Sequence, residues 1–473
     1  MSRGLKAVLG AVAGSLILAG TVTAASSVRG GNAGLAAASA RPGPGSLPLG
    51  ARSVISAALG ASEPSFAARA ARGGYRESGG AVYPMRINRL IQKAKKLTQT
   101  GGVGGPNFGY SIALSANGRT ALIGGPADNH NGQAGAAWVF TRSAAGVWSQ
   151  QGRKLTGKQE VGSGGFGFSV ALSANGNTAL IGGENDNGTV GAAWVFTRKG
   201  TKWTQQGPKL TGSGEDGHSK FGWSVALSPD GQTALVGGYM DASLTGAAWV
   251  YTRSATGAWT QQGGKLVPGD ETNKSFFGWS VALSSNGNLA LIGGPDDNSY
   301  VGAAWVYTRS GSTWTEGQKL TGKGGIGSDG NHFGESVALS TAGTTALIGG
   351  PGDNGAVGAA WVFTQSGPTW AQLGAKLTGT GTVGQANFGA HVALSGNGTT
   401  ALIGGSNDNG NIGGAWLFAR SGDAWSQQGS KRTAGKTGQN LFGTGVALSA
   451  TGATALIGSP ADTANSGAVW AYG

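Results

Sequence analysis

Phe-Gly recurs seven times along the chain, at Phe108, Phe166, Phe221, Phe277, Phe333, Phe388 and Phe442, and a stretch of similar sequence follows each copy. The gaps between successive copies stay within 54 to 58 residues. So steady a period means one supersecondary unit made seven times, each unit burying its apolar faces against its neighbours.

Within the second unit, residues 168–173, 178–182, 192–198 and 203–210 read as strands, and none is long enough for a helix. The first two are joined at Asn175-Gly176, with counterparts Asn117-Gly118, Asp230-Gly231, Asn286-Gly287 and Asn397-Gly398. Asx-Gly between apolar runs predicts a tight hairpin, because a type I′ turn needs positive φ at both central residues. Copies five and seven keep only the glycine, as Ala342-Gly343 and Thr451-Gly452. Four antiparallel strands per unit with no intervening helix describe a propeller blade, so the fold class is all-β: a seven-bladed β-propeller of four-stranded antiparallel blades.

The chain ends are complementary. The last copy stops at Gly473 after its third strand, while residues 90–98 (LIQKAKKLT) line up with the fourth strand 148–156 (WSQQGRKLT). An N-terminal strand therefore completes the last blade and pairs an otherwise open sheet edge. The 15 tryptophans agree with this count. Seven sit on third strands and six on fourth strands, and Leu90 stands where the seventh fourth-strand Trp is missing. The last two, Trp223 and Trp279, follow Phe-Gly pairs. Large aromatics at fixed positions are first of all filler between blades.

Residues 1–25 read as an export signal: Arg3 and Lys6, an apolar run from Ala7 to Ala19, and Val22-Thr23-Ala24 as a cleavage site. Residues 26–87 are rich in Ala, Gly, Ser, Pro and Arg and read as a disordered tether, and 88–473 are the propeller. The protein is expected to be secreted, extracellular or associated with the cell envelope, with no transmembrane segment once the signal is removed. With no cysteine it uses neither a disulfide nor a lipid anchor. Of the formal charge of +13, +11 falls in the first 98 residues, leaving a nearly neutral body. No specific nucleic-acid partner is expected of such a surface.

Phe-Gly-x-Ser-Val, the Gly-Gly-Pro step at Gly124-Gly125-Pro126, Gly293-Gly294-Pro295 and Gly349-Gly350-Pro351, and Gly-Ala-Ala-Trp-Val-Phe on the third strand together resemble the FG-GAP repeat. That repeat builds the seven-bladed propeller heading integrin α chains and several exported bacterial proteins. The resemblance implies an exported bacterial-type protein of integrin α-like architecture. The calcium-binding hairpins of integrin propellers do not carry over, because the matching turns here offer at most Asp230 while calcium needs six or more oxygens.

An Asp stands 20 residues after each Phe, as Asp128, Asp186, Asp241, Asp297, Asp353, Asp408 and Asp462, and predicts a structural loop carboxylate capping backbone amides rather than a metal ring. Divergence concentrates in the blade-to-blade connections, whose distinctive polar groups are Glu215, Asp216, His218, Asp270, Glu271, Asp329 and His332. These are the candidate ligand-binding residues on one rim. The four histidines fall in separate units without metal-ligand spacing, and the repeating serines Ser111, Ser169, Ser224, Ser280 and Ser336 are not nucleophile elbows. The expectation is a monomeric binding or adhesion module for an extracellular protein or cell-surface glycan, without cofactor or metal, and not an enzyme. A carbohydrate-binding propeller is the alternative, and a hydrolase or lyase using carboxylates such as Asp216 and Asp270 the third reading.

Overall fold

The computed structural model describes residues 94–129, 134–271, 274–327, 330–435 and 438–473, all within one compact unit, Ala81–Gly473. The export signal, the tether, Leu90 to Lys93, His130 and Asp329 lie outside the described residues.

Seven four-stranded antiparallel meanders are present. In the second blade the strands are Ser169–Leu172, Thr178–Gly183, Ala192–Lys199 and Lys202–Gln205, with Ile181 opposite Trp194 and Arg198 opposite Trp203. The fourth strand is shorter than the sequence pattern suggests. Its continuation is a single bridge between Ala193 and Leu210.

There is no common core. Each apolar cluster joins two blades: Leu180, Ala193, Val195 and Leu210 of the second pack with Phe221, Val236, Trp249 and Tyr251 of the third. Third-strand Trp side chains fill these interfaces from Trp138 to Trp416, fully buried, and the Phe of each Phe-Gly pair meets its own blade's Trp at ring centroids 5.2 to 5.6 Å apart. Such large aromatics supply most of the apolar burial between blades.

Two glycines per blade let the backbones meet. The Gly of each Phe-Gly pair has positive φ, for instance +98° at Gly389, and its carbonyl oxygen approaches the first Gly of the preceding blade's Gly-Gly step. A Cβ on Gly349 would lie 1.9 Å from the Gly389 oxygen, and one on Gly182 2.1 Å from that of Gly222. The inner-strand serine seals the same contact, Ser169 Oγ donating to Gly222 O at 2.8 Å and Ser336 Oγ to Gly389 O at 2.7 Å.

The ring closes through the chain's beginning. Lys95, Lys96 and Leu97 pair antiparallel with Ala471, Trp470 and Val469, making the last sheet four-stranded. Leu97 joins Ala447, Leu456 and Val469 of the seventh blade and Phe108, Ile123 and Trp138 of the first in one apolar cluster.

The repeated Asp side chains are buried, and each pairs with a Lys. Asp186 pairs with Lys209, just past the fourth strand of its own blade, and accepts the Val161 amide of the preceding connection at 2.7 Å. The same Lys–Asp pairing recurs as Lys154–Asp128, Lys265–Asp241, Lys319–Asp297, Lys376–Asp353, Lys431–Asp408 and, across the closing seam, Lys96–Asp462. The amides reached by Asp128, Asp186, Asp241, Asp353 and Asp408 belong to the connections ahead of their blades, not to the Asp residue's own loop as the sequence pattern suggested. After each of six of these Asp residues, Asp186 to Asp462, the chain makes a short left-handed turn, as at Asn187 (φ 53°, ψ 46°). Asn tolerates that conformation better than most residues, which accounts for the frequent Asp-Asn pair.

Candidate functional site

The seven first strands stand side by side around the axis and line a cavity of about 450 Å³. At its far end the first hairpins bond to one another through backbone groups, as from Ala116 N to Ala174 O and from Ala450 N to Ala116 O. Residues two past each Phe form the upper ring of the wall: Tyr110, Phe168, Trp223, Trp279, Glu335, Ala390 and Thr444.

This ring is divided. Blades one to four contribute a continuous aromatic arc, with centroids 5.0 Å apart for Tyr110–Phe168, 4.6 Å for Phe168–Trp223 and 4.7 Å for Trp223–Trp279. Tyr239 at the end of a second strand buttresses both tryptophans, and Phe276 stacks on Trp279. The remaining arc is polar or small, beginning with Glu335 beside Trp279 in ring order. Burial pushes the Glu335 carboxyl up to about 7, opposed by the attraction of His332 and assisted by the repulsion of Asp296. His332 lies 3.5 Å from Asp296 and is itself raised by that carboxylate. Glu184, buried where four other blades carry Pro, is also raised by desolvation, and its charge adds to the burial that raises Tyr110 and Tyr239.

Among the described candidate residues read from the sequence, His332 is the one that acts electrostatically on a residue lining this cavity. Glu215 accepts from Ser219 Oγ at 2.8 Å and Glu271 from Ser275 Oγ at 3.2 Å, so both tie down the connection ahead of a Phe-Gly pair. Asp216 uses its amide to bond Asp241, and His218 is exposed on the same connection. Asp270 accepts from Trp305 Nε1 at 2.7 Å. The structure does not bring these groups together, and Asp216 and Asp270 are bound into different connections.

The reading missed Trp223 and Trp279 as anything but filler. The available signal was their variation: position two past Phe differs in nearly every copy, while the Ser-Val that follows barely changes. His391 occupies the Ser position of the sixth inner strand and lines the cavity, where burial pushes its imidazole down to about 4.

That depression has a measurable consequence. With a folded value near 4 and an unfolded value near 6.5, His391 costs nothing above pH 6.5 and destabilises progressively as pH falls from 6.5 towards 4. At pH 5 the penalty is about 2 kcal/mol. His391→Ser should remove it and restore an interblade bond worth about 1 kcal/mol. Urea unfolding should show a gain at pH 5 clearly larger than at pH 8; equal gains at both would refute this account of His391.

Four segments of the chain, residues 92–140, 203–251, 259–307 and 314–363, match the FG-GAP repeat. Each match runs from a fourth strand through the first three strands of the next blade, the same phase in which the N-terminal strand precedes the first Phe-Gly. The chain is a seven-bladed β-propeller, four stretches of which match the FG-GAP repeat. No curated protein sequence matches it. Among solved structures it resembles one named "putative 6-phosphogluconolactonase" from Bacteroides uniformis, at TM-score 0.50 and 12% identity over 71% of this chain and 88% of the other. It also resembles the periplasmic gluconolactonase of Pseudomonas aeruginosa, at TM-score 0.47 and 15% identity over 69% and 85%.

The first likeness, which concerns the fold alone, corrects the expectation that the protein is not an enzyme. That expectation took a propeller without a motif-like catalytic set for a bare scaffold, whereas a protein named for lactone hydrolysis shares the architecture. The cavity adds a physical reason: Glu335 has a proton affinity suited to exchange near neutral pH, which no sequence spacing announces.

Proposed function

We propose that the axial cavity is a binding site for a small sugar-type ring. The observation that carries this reading is the aromatic arc from Tyr110 to Trp279 lining the same cavity as Glu335 and His391. Sugar rings offer apolar C–H faces and a girdle of hydroxyls; aromatic rings contact the former and a few polar groups orient the latter. The groups Glu215, Asp216, His218, Asp270 and Glu271 have no part in this reading, as none of them lines the cavity.

Titrating monosaccharides and disaccharides against the intrinsic Trp fluorescence of the full chain tests it. Trp223→Ala and Trp279→Ala should each weaken binding by roughly threefold to tenfold, the loss expected for one aromatic contact. A sugar that binds equally well to the double variant would remove the arc from the site.

A second reading, hydrolysis of a lactone or ester bond in the bound ring, is favoured by Glu335. A water oxygen adds to the carbonyl carbon, Glu335 takes the water's proton and returns it to the departing ring oxygen, and a hydroxy acid results. The described lining contains no Lys or Arg, so an uncharged lactone suits this wall better than a phosphorylated one. Glucono-δ-lactone opening in a pH-stat should be faster with the full chain than with Glu335→Gln, and equal rates would reject this second reading.

A further inference from the structure

The charge of the cavity wall sorts ligands further. Among the described lining residues the ionisable groups are Glu335, His391 and Tyr110. His391 stays neutral at pH 7 because burial holds it near 4, and Tyr110 is held protonated by burial and by Glu184. The cation Lys220, on the connection before Phe221, is committed to Asn185 Oδ1 at 2.5 Å and lies 3.6 Å from Glu184. What remains facing a ligand is one carboxyl group next in ring order to two tryptophans, whose electron-rich faces attract cations. Desolvation makes an unpaired carboxylate costly here, so a ligand that brings its own positive charge gains most by entering.

We infer that the cavity selects an amino sugar, its ammonium group pairing with Glu335 beside Trp279 and Trp223. This rests on the sugar-ring reading above and adds the charge of the ring. A neutral sugar leaves the Glu335 carboxyl to be neutralised by a proton; an ammonium replaces that proton and adds attraction to the indole rings.

Isothermal titration of the full chain with glucosamine, glucose and N-acetylglucosamine, near pH 7.5, tests the inference. Glucosamine should bind about tenfold tighter than either neutral sugar. Glu335→Gln should abolish that preference. The groups facing Glu335 are His332 on its own connection, Asp296 on the blade-four turn and His391 on the next inner strand. Lowering the pH below 7 protonates Glu335, so the roughly tenfold preference should fade towards none.

Equal binding of glucosamine and glucose would overturn the amine preference and leave the sugar reading standing. A preference that survives Glu335→Gln would overturn Glu335 as its source. Failure of all three sugars to bind or to change Trp fluorescence would overturn both readings together.

Discussion

Gly349→Ala should destabilise the propeller by at least about 3 kcal/mol, although it adds a single methyl group to a residue with ordinary φ. The methyl carbon would sit 1.9 Å from the Gly389 carbonyl oxygen and 2.5 Å from Ser336 Oγ. The serine can rotate away, but the oxygen belongs to the backbone of the sixth blade and moves only if two blades part. Parting them loosens the cluster in which Leu347, Ala360 and Val362 meet Phe388, Ile403 and Trp416. Gly367→Ala is the control, because Gly367 has φ +60° and no atom within 4 Å of its Cβ. That change should cost only about 1 kcal/mol, the penalty of a left-handed Ala. Urea unfolding of the two variants should separate them by about 2 kcal/mol or more; similar losses would mean that backbone contact does not set the blade spacing.

This contact shows which parts of the molecule are legible in one sequence. The Phe-Gly and Gly-Gly steps recur because every interface needs them, so period, blade count and closing strand all follow from repetition. The Asp of each unit was legible as structural, but its Lys partner was not: Lys209 lies 23 residues beyond Asp186, past the end of the fourth strand, and repetition alone does not say which repeated groups meet. The left-handed turn after Asp186 is local, and Asn187-Gly188 hinted at it, yet Thr463-Ala464 adopts it with no such hint, held by its surroundings.

The site was hidden for the opposite reason. Divergence drew attention to the connections, where Glu215, Glu271 and Asp270 prove to be bonded within their own loops or to a neighbouring Trp. Divergence at the second residue past Phe went unread because it sits directly before a nearly invariant strand. Seven residues about 55 positions apart converge only when the ring closes. Tyr110, Phe168, Trp223, Trp279 and Glu335 are thus neighbours by topology, and their contact depends on closure.

Closure itself can be cut. Removing residues 1–98 deletes the strand Lys95–Leu97, while removing residues 1–87 leaves it in place. The longer deletion strips Leu97, 6% exposed, from the seam cluster, a loss of about 1.5 to 3 kcal/mol in apolar burial. It leaves Asp462, 8% exposed, without the Lys96 ammonium, for another 1 to 3 kcal/mol or so. It also leaves the strand Ala468–Tyr472 as an open edge. Against a total stability of about 5 to 15 kcal/mol, these losses are large enough to unseat the seventh blade. The shorter deletion should unfold at the same urea concentration as the full chain. The longer one should unfold several kcal/mol earlier, associate through its free edge, and lose sugar-dependent Trp fluorescence because the ring lining the cavity is no longer held shut. Adding a peptide of residues 88–98 should restore part of the lost stability by occupying the vacant position beside Trp470. If both deletions proved equally stable, the direct contacts between the first and seventh blades, among them the Ala450 N–Ala116 O bond, the Phe108–Gly467 bridge, Arg142 on Thr454 and the apolar seam, would suffice to hold the ring shut, and the N-terminal strand would be an accessory to it.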